Sequence, residues 1–178
     1  MSYARMPRPF EDYTKGDVVR AGKLLSKRIP EEARDADVIR AFYIANSWIS
    51  SHAYPLALTL NRIRKITGDK APTARVIGHE KTLESARLKL QARSLGSIQD
   101  LGGARAIFDN MSELDSVVSE YHGGKGDFEI LRTDDYIRNP KPAGYWSVHI
   151  IVRMPKFSNK KRHSHANQRI EIQLLESA

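Results

Sequence analysis

Two acidic residues far apart in the chain carry its most chemically loaded pattern. Asp100 stands directly before "LGGAR", where two glycines let a ligand or another stretch of backbone come close. Glu171 stands in "RIEIQLL", whose alternation puts Arg169, Glu171 and Gln173 on one side of a strand and Ile170, Ile172 and Leu174 on the other. If the two segments are neighbouring strands, both carboxylates can share one Mg2+, an ion that takes few protein oxygens and fills its shell with water and substrate phosphates. Two acids on a solvated sheet face satisfy the same alternation.

A second constellation lies in "DDYIRNPKPAGYWSVHIIVRM". Tyr145 follows the tight turn "KPAG" and can present its ring to an unpaired nucleobase. Lys141 and His149 are close to it in sequence, and His149 shares the Tyr145 face if one strand carries both. A packed tyrosine and a structural histidine are the plainer alternatives. In "GHEKTLESARLKL", Lys81 precedes a helix, Ser85 is in its first turn and Lys89 one turn on, a setting that favours phosphate because unpaired amide donors converge there. A solvated helix start with ordinary lysines fits as well. "HGGKGD" lacks the spacing of a glycine-rich phosphate loop and reads as a turn. His163 and His165 have no carboxylate or thiolate partner nearby, and Lys156, Lys160, Lys161 and Arg162 belong to a solvated basic loop that could touch a phosphate backbone.

These residues need a scaffold, and the hydrophobic spacing supplies one. Thr14 and Asp17 form a capping box for a helix with Val18, Ala21, Leu25 and Ile29 inward, stopped by Pro30. A second helix runs from about Glu31 through Ile39, Phe42, Trp48 and Ile49 until "SSHAYP" interrupts it. A third runs from Pro55 to about Thr67 and ends at Gly68, and a fourth from Thr82 to Leu95. The period then changes to alternation. "SIQDLGGARAIF" reads as a strand, Ser112 and Asp115 cap a helix to about Tyr121, and "FEILRT", "YWSVHIIVRM" and "RIEIQLL" read as further strands. The expected class is α+β, a helical N-terminal half followed by a small mixed sheet flanked by helices.

At 178 residues, with 40% apolar and 28% charged residues, the chain suits one domain. A net charge of +8 favours polyanionic partners such as nucleotides, nucleic acid or anionic surfaces. The absence of cysteine excludes disulfides and thiolate metal sites. The N-terminus lacks the apolar core of a signal peptide and nothing approaches eighteen consecutive apolar residues, so a soluble cytoplasmic protein with no membrane partner is expected.

In order, "EKTLESARLKL", "IQDLGGARAIF", "DDYIRNPKPAGYWSVHIIV" and "IEIQL" resemble the synthetase domain of the RelA/SpoT family, the enzymes that make the alarmone (p)ppGpp. The likeness covers about Arg75 to Leu174 and implies a nucleotidyltransferase-like fold. The expected organisation is a single synthetase domain over 1–178, with a helical region over 1–70 and a catalytic core over 75–175. "DYTKGDVVRAGKLL" and "NSWISSHAYPLALTLNRIRK" are similar to the toxic small members and their phage-defence relatives, some of which pyrophosphorylate the tRNA 3' end.

The resemblance implies transfer of the β,γ-pyrophosphate of ATP to a ribose 3'-hydroxyl of GDP, GTP or tRNA, with Mg2+ as cofactor. It implies that Asp100 and Glu171 hold the metal and that Glu171 activates the hydroxyl. Tyr145 would stack the acceptor base with Lys141 and His149 beside it, while Lys81, Ser85 and Arg105 would serve ATP. It further implies a growth-inhibiting protein with an antitoxin partner. His79 stands where the family usually has an arginine against adenine, so ATP binding is expected to be weaker or to recruit another residue such as Arg75. "EIQLLESA" ends where family members carry arginine and threonine and continue into C-terminal helices, which are expected to be missing. A catalytically inactive nucleotide- or RNA-binding module is the alternative, set against the retention of both Asp100 and Glu171.

Overall fold

The computed structural model describes residues 13–26, 34–123, 128–140, 142, 146–154 and 167–177. Helix α1, Lys15–Leu25, begins at the expected capping box: Thr14 Oγ1 accepts from the Asp17 N–H at 3.2 Å, and the Asp17 carboxylate accepts from the Thr14 N–H at 2.7 Å. Helices α2, Asp35–Ser50, and α3, Ala53–Lys70, are separated at "SSHAYP" as expected. Pro55 falls in the first turn of α3, where a missing N–H costs no helical bond. α3 runs through Gly68 to Lys70 instead of ending there. The Pro30 stop and the Glu31 start lie outside the described residues.

Strand β1, Arg75–Glu80, was not expected. Helix α4, Leu83–Leu90, is shorter than its pattern suggests and gives way to a 3-10 turn at Leu95–Ser97. Packing explains the early stop. Leu95 is fully buried, and a Cβ on Gly22 would come within 2.8 Å of the Leu95 Cβ, so leaving the helix lets Leu95 close on α1 through a glycine.

Strand β2, Gly102–Phe108, starts five residues later than the alternation of "SIQDLGGARAIF" suggests. Helix α5, Met111–Gly123, is capped by Asn110, whose side-chain oxygen accepts from the Glu113 N–H at 3.0 Å. The expected Ser112–Asp115 cap is therefore corrected: Asp115 instead pairs with Arg138 at 2.9 Å. Strands β3, Glu129–Asp135, β4, Val148–Arg153, and β5, Arg169–Glu176, complete a five-stranded sheet in the order β1-β2-β5-β4-β3. β2 and β5 are parallel and the other neighbours antiparallel. The protein is thus α+β with a mixed sheet, as its sequence pattern implies.

One sheet face is the core. Ala104, Ala106 and Phe108 of β2, Ile170, Ile172 and Leu174 of β5, and Val148, Ile150 and Val152 of β4 meet Leu56, Ile63 and Ile66 of α3 and Leu114, Val117 and Tyr121 of α5. A separate apolar cluster joins α1, α2 and α4 to Leu95, Ile98 and Leu101. Phe108 is fully buried on the sheet, so Phe108→Ala is expected to lower unfolding free energy by about 3–5 kcal/mol, through lost transfer energy plus the cavity left behind. Urea denaturation checks this; a loss under about 1 kcal/mol would mean the sheet collapses around the gap.

Candidate active site

The opposite sheet face is polar and open. Register aligns Ile77, Arg105, Gln173, His149 and Asp134 in one cross-strand row, and His79, Gly103, Glu171 and Ile151 in the next, so that their side chains share this face. The neighbour relation required of the two acidic segments is met, because Gly103 pairs with Glu171 in the parallel β2–β5 ladder. Asp100 precedes β2 at the same end.

Asp100 has the densest set of partners. Lys81 Nζ lies 3.2 Å from its Oδ2, and Lys89 Nζ contacts the same oxygen more closely. Chain geometry brings these groups together: the Lys81 N–H donates to the Leu101 carbonyl at 2.8 Å, closing the exit of β1 onto the entry of β2. Lys89 is one α-helical turn beyond Ser85. Burial pushes the Asp100 carboxyl up, but the hydrogen bond from Lys89 and the charges of both lysines outweigh it and hold the group below the ordinary carboxylate range.

Both oxygens of Glu171 are engaged. His149 Nδ1 lies 3.1 Å from Oε1, and the Gln173 amide donates to Oε2 at 3.1 Å. Gln173 is itself fixed, since its Oε1 accepts from Arg105 Nε at 3.1 Å and Nη2 at 2.8 Å. Burial raises the Glu171 carboxyl, His149 and Gln173 lower it and prevail, and the negative charge of Asp100 pushes it back up. That last effect shows the two carboxylates sense one another. Both are ionised at neutral pH.

Three further placements bear on the site. A Cβ on Gly103 would come within 2.2 Å of His79 Cε1, so the imidazole lies directly on the glycine. Burial first, then the Lys81 and Arg105 charges, depress the His79 pKa and leave a flat, neutral ring at pH 7. Ser85 spends its hydroxyl on the α4 cap, accepting from the Thr82 N–H at 3.0 Å, while Thr82 Oγ1 accepts from the Ser85 N–H at 3.1 Å. Arg75 opens β1 on the open face but stands four residues from His79, about 13 Å along the strand, away from the carboxylates.

Tyr145 and Lys141 lie outside the described residues, as do His163 and His165. β4 is described from Val148, with Trp146 exposed just before it. The structure therefore brings together Asp100, Glu171, His149, Lys81 and Arg105, and with them Lys89, which the sequence had set one turn beyond Ser85 at the phosphate-favouring helix start. Gln173 was not expected in the site; its signal was the period-two position beside Glu171.

Among the described residues no three or more His, Cys, Asp or Glu side chains converge as a metal-binding group. Mg2+ needs no such cluster, and two ionised, mutually repelling hard-oxygen donors fit an ion that relies on water and phosphate for its other ligands.

A mixed sheet with one helix-covered face, and an open face bearing a carboxylate pair beside lysine, arginine and histidine, defines an α+β protein whose open face has the charges to take a divalent ion and phosphate groups. Residues 78–177 match the region found in RelA / SpoT proteins, and the chain belongs to that family. It is 40% identical over 58 residues to GTP pyrophosphokinase YwaC of Bacillus subtilis, covering 33% of this chain and 27% of that protein. To GTP pyrophosphokinase YjbM of the same organism it is 30% identical over 94 residues, covering 52% and 41%. The chain thus spans less than half the length of these curated relatives. Among solved structures, small alarmone synthetase 2 of B. subtilis superposes with a TM-score of 0.60 at 25% identity, covering 72% of this chain and 70% of that one.

Proposed function

We propose that the chain is a RelA/SpoT-type pyrophosphokinase that moves the β,γ-pyrophosphate of ATP to the ribose 3'-hydroxyl of GDP or GTP. The observation that carries this is the pair Asp100 and Glu171, ionised, within electrostatic reach of one another, and set on an open sheet face with Lys81, Lys89 and Arg105. The names of its relatives, both GTP pyrophosphokinases, support the same acceptor.

In this reading the acceptor 3'-oxygen attacks the β-phosphorus, the bond from that phosphorus to the α,β-bridging oxygen breaks, and AMP leaves. Glu171 receives the hydroxyl proton. Its depressed pKa makes it a modest base, which suffices because a loose phosphoryl-type transition state demands little of the nucleophile until late. His149 and Gln173 hold the carboxylate from both sides, so its lone pairs are oriented before substrate arrives. Bound Mg2+ would be held by Asp100 and Glu171 and would neutralise phosphate charge. Lys81 and Lys89, both on Asp100 Oδ2, are placed to turn to the donor phosphates. Ser85 contributes by fixing the α4 start.

The adenine would stack on the His79 ring, where the charge of Arg105, whose guanidinium is held on Gln173, is felt. A neutral imidazole stacks without the cationic contribution of an arginine, so weak ATP binding is expected. Tyr145 and Lys141 are assigned to the acceptor base and its phosphates on their sequence pattern alone. Residues 1–178 would act as one synthetase unit, with 1–70 helical and 75–175 catalytic. A tRNA 3' end as acceptor, growth inhibition and an antitoxin partner rest on the likeness of the N-terminal segments to the toxic members. The net charge of +8 is compatible with that reading.

Incubation with γ-labelled ATP, Mg2+ and, separately, GDP, GTP, AMP and deacylated tRNA tests the assignment. Label is expected on GDP or GTP; label on tRNA alone would move the chain to the tRNA-modifying members, and label on none would refute the transferase reading. Gly103→Ala is expected to raise KM for ATP by about tenfold, the effect of roughly 1.4 kcal/mol of lost binding, because the new methyl displaces the His79 ring. Steady-state kinetics checks it, with an unchanged KM removing His79 from the adenine site.

A further inference from the structure

Asp100 is occupied by the protein's own cations at the oxygen a metal ion would need. Its Oδ2 is held by two ammonium groups at once, Lys81 Nζ at 3.2 Å and Lys89 Nζ in still closer contact. The two lysines arrive from different elements. Lys81 stands in the turn between β1 and α4, with its N–H on the Leu101 carbonyl at 2.8 Å, and Lys89 stands near the end of α4, whose start is fixed by the Thr82–Ser85 capping box. Neither lysine makes another ion pair among the described residues, so Asp100 is the anion they share.

The balance of charge also opposes a lone metal ion. His79 senses Lys81, Arg105, Asp100 and Glu171 together, so these groups form one electrostatic cluster, and Lys89 joins it through Asp100. Three cations thus stand against two carboxylates. A divalent cation arriving by itself meets a surface of its own sign, and partial burial strengthens the repulsion by lowering the effective dielectric. A polyphosphate is the opposite case. Its oxygens accept from both ammonium groups, and drawing the lysines away uncovers Asp100 while adding negative charge beside it. Side-chain exposure permits the exchange, since Lys89 is 47% and Lys81 22% exposed against 14% for Asp100.

We propose that Lys81 and Lys89 form a latch on Asp100, released when the polyphosphate of a nucleotide takes both ammonium groups, so that the nucleotide binds without the metal but the metal does not bind without the nucleotide. This rests on the reading of Asp100 and Glu171 as the metal-holding pair and adds the order in which the site is filled. The lysines have two successive partners, first the carboxylate and then the donor phosphates. A divalent ion is thereby admitted only beside the phosphates whose charge it neutralises.

Metal and nucleotide binding are measured separately on the 178-residue chain, with no acceptor and no turnover. Mn2+ is titrated without nucleotide and the free ion read by electron paramagnetic resonance, while α,β-methylene ATP is titrated in EDTA by calorimetry. The wild type is expected to bind the nucleotide without metal and to show no saturable Mn2+ uptake without nucleotide. Lys81→Gln/Lys89→Gln is expected to move the two ligands in opposite directions: Mn2+ binds at least about tenfold tighter, an effect removed by adding Asp100→Asn, and the nucleotide at least about tenfold weaker. Lys89→Gln alone, at the more exposed lysine, is expected to shift both in the same senses by a smaller factor, with circular dichroism reporting the fold. Saturable Mn2+ uptake by the nucleotide-free wild type that Asp100→Asn removes, nucleotide binding that requires metal, or lysine variants that weaken both ligands or change neither would overturn the latch. Failure of the transferase reading shows instead as absence of label on every acceptor, which none of these titrations reads.

Discussion

Asp100→Asn is expected to lower kcat/KM for ATP by about 10³-fold, the scale of losing one preorganised charge contact to a phosphoryl group. Asparagine keeps the shape but removes the charge that Lys81 and Lys89 share, and it deprives a divalent ion of one of its two anionic ligands. The mutation has a measurable structural side. Because the folded carboxyl titrates below the ordinary range, it contributes stability that is present above about pH 4 and lost as pH falls through the folded value. Wild-type stability should therefore decline on acidification in a component that Asp100→Asn lacks. Steady-state kinetics with Mg2+ varied, beside circular dichroism for the fold, checks both parts; undiminished activity or unaltered metal dependence would place the ion elsewhere.

Glu171→Gln is expected to reduce kcat by about 10²–10⁴-fold, the usual range for removing a positioned general base, and to leave KM for ATP within a few-fold. The amide is nearly isosteric, so β5 and its pairing to Gly103 should persist. Glu171 must be ionised to take a proton, and its depressed pKa places the acid limb of the wild-type rate below the ordinary carboxyl value. Rate–pH profiles test this, since the residual activity of the variant should lack that limb. A variant whose kcat falls only two- or threefold would assign Glu171 to structure alone.

The parts of this architecture governed by local rules were legible in the amino-acid order. The Thr14 capping box, the break before Pro55 and the period-two face of β5 depend on neighbours in sequence, and the structure has all three. β1 was hidden because Val76 and Ile77 are adjacent and Gly78 follows, which blurs alternation. Gly78 is there for packing: a Cβ on it would come within 2.5 Å of Leu60 Cδ1 of α3. The end of α4 was misplaced because a tertiary contact, Leu95 on Gly22, overrides a pattern that continues.

The site divides in the same way. Asp100 and Glu171 could be named from their segments, but their proximity depends on parallel pairing of β2 with β5, strands separated in the chain by α5, β3 and β4. Lys89 joins Asp100 only because the turn after β1 folds α4 back over the entry of β2. Gln173 looks like any outward residue of β5 until the Arg105 fork across the ladder fixes its amide against Glu171. His79 could be noted as a departure from the family's arginine, but not as a ring resting on Gly103.

The most direct test of the carboxylate pair as a pyrophosphate-transfer site is the phosphorus balance of one reaction, followed by 31P NMR on a mixture of ATP, GDP, Mg2+ and the 178-residue chain. The account predicts that AMP and a guanosine nucleotide bearing a 3'-pyrophosphate accumulate in equal amounts, and that neither forms with Asp100→Asn. Accumulation of ADP with orthophosphate, or equal product from the wild type and the variant, would contradict it.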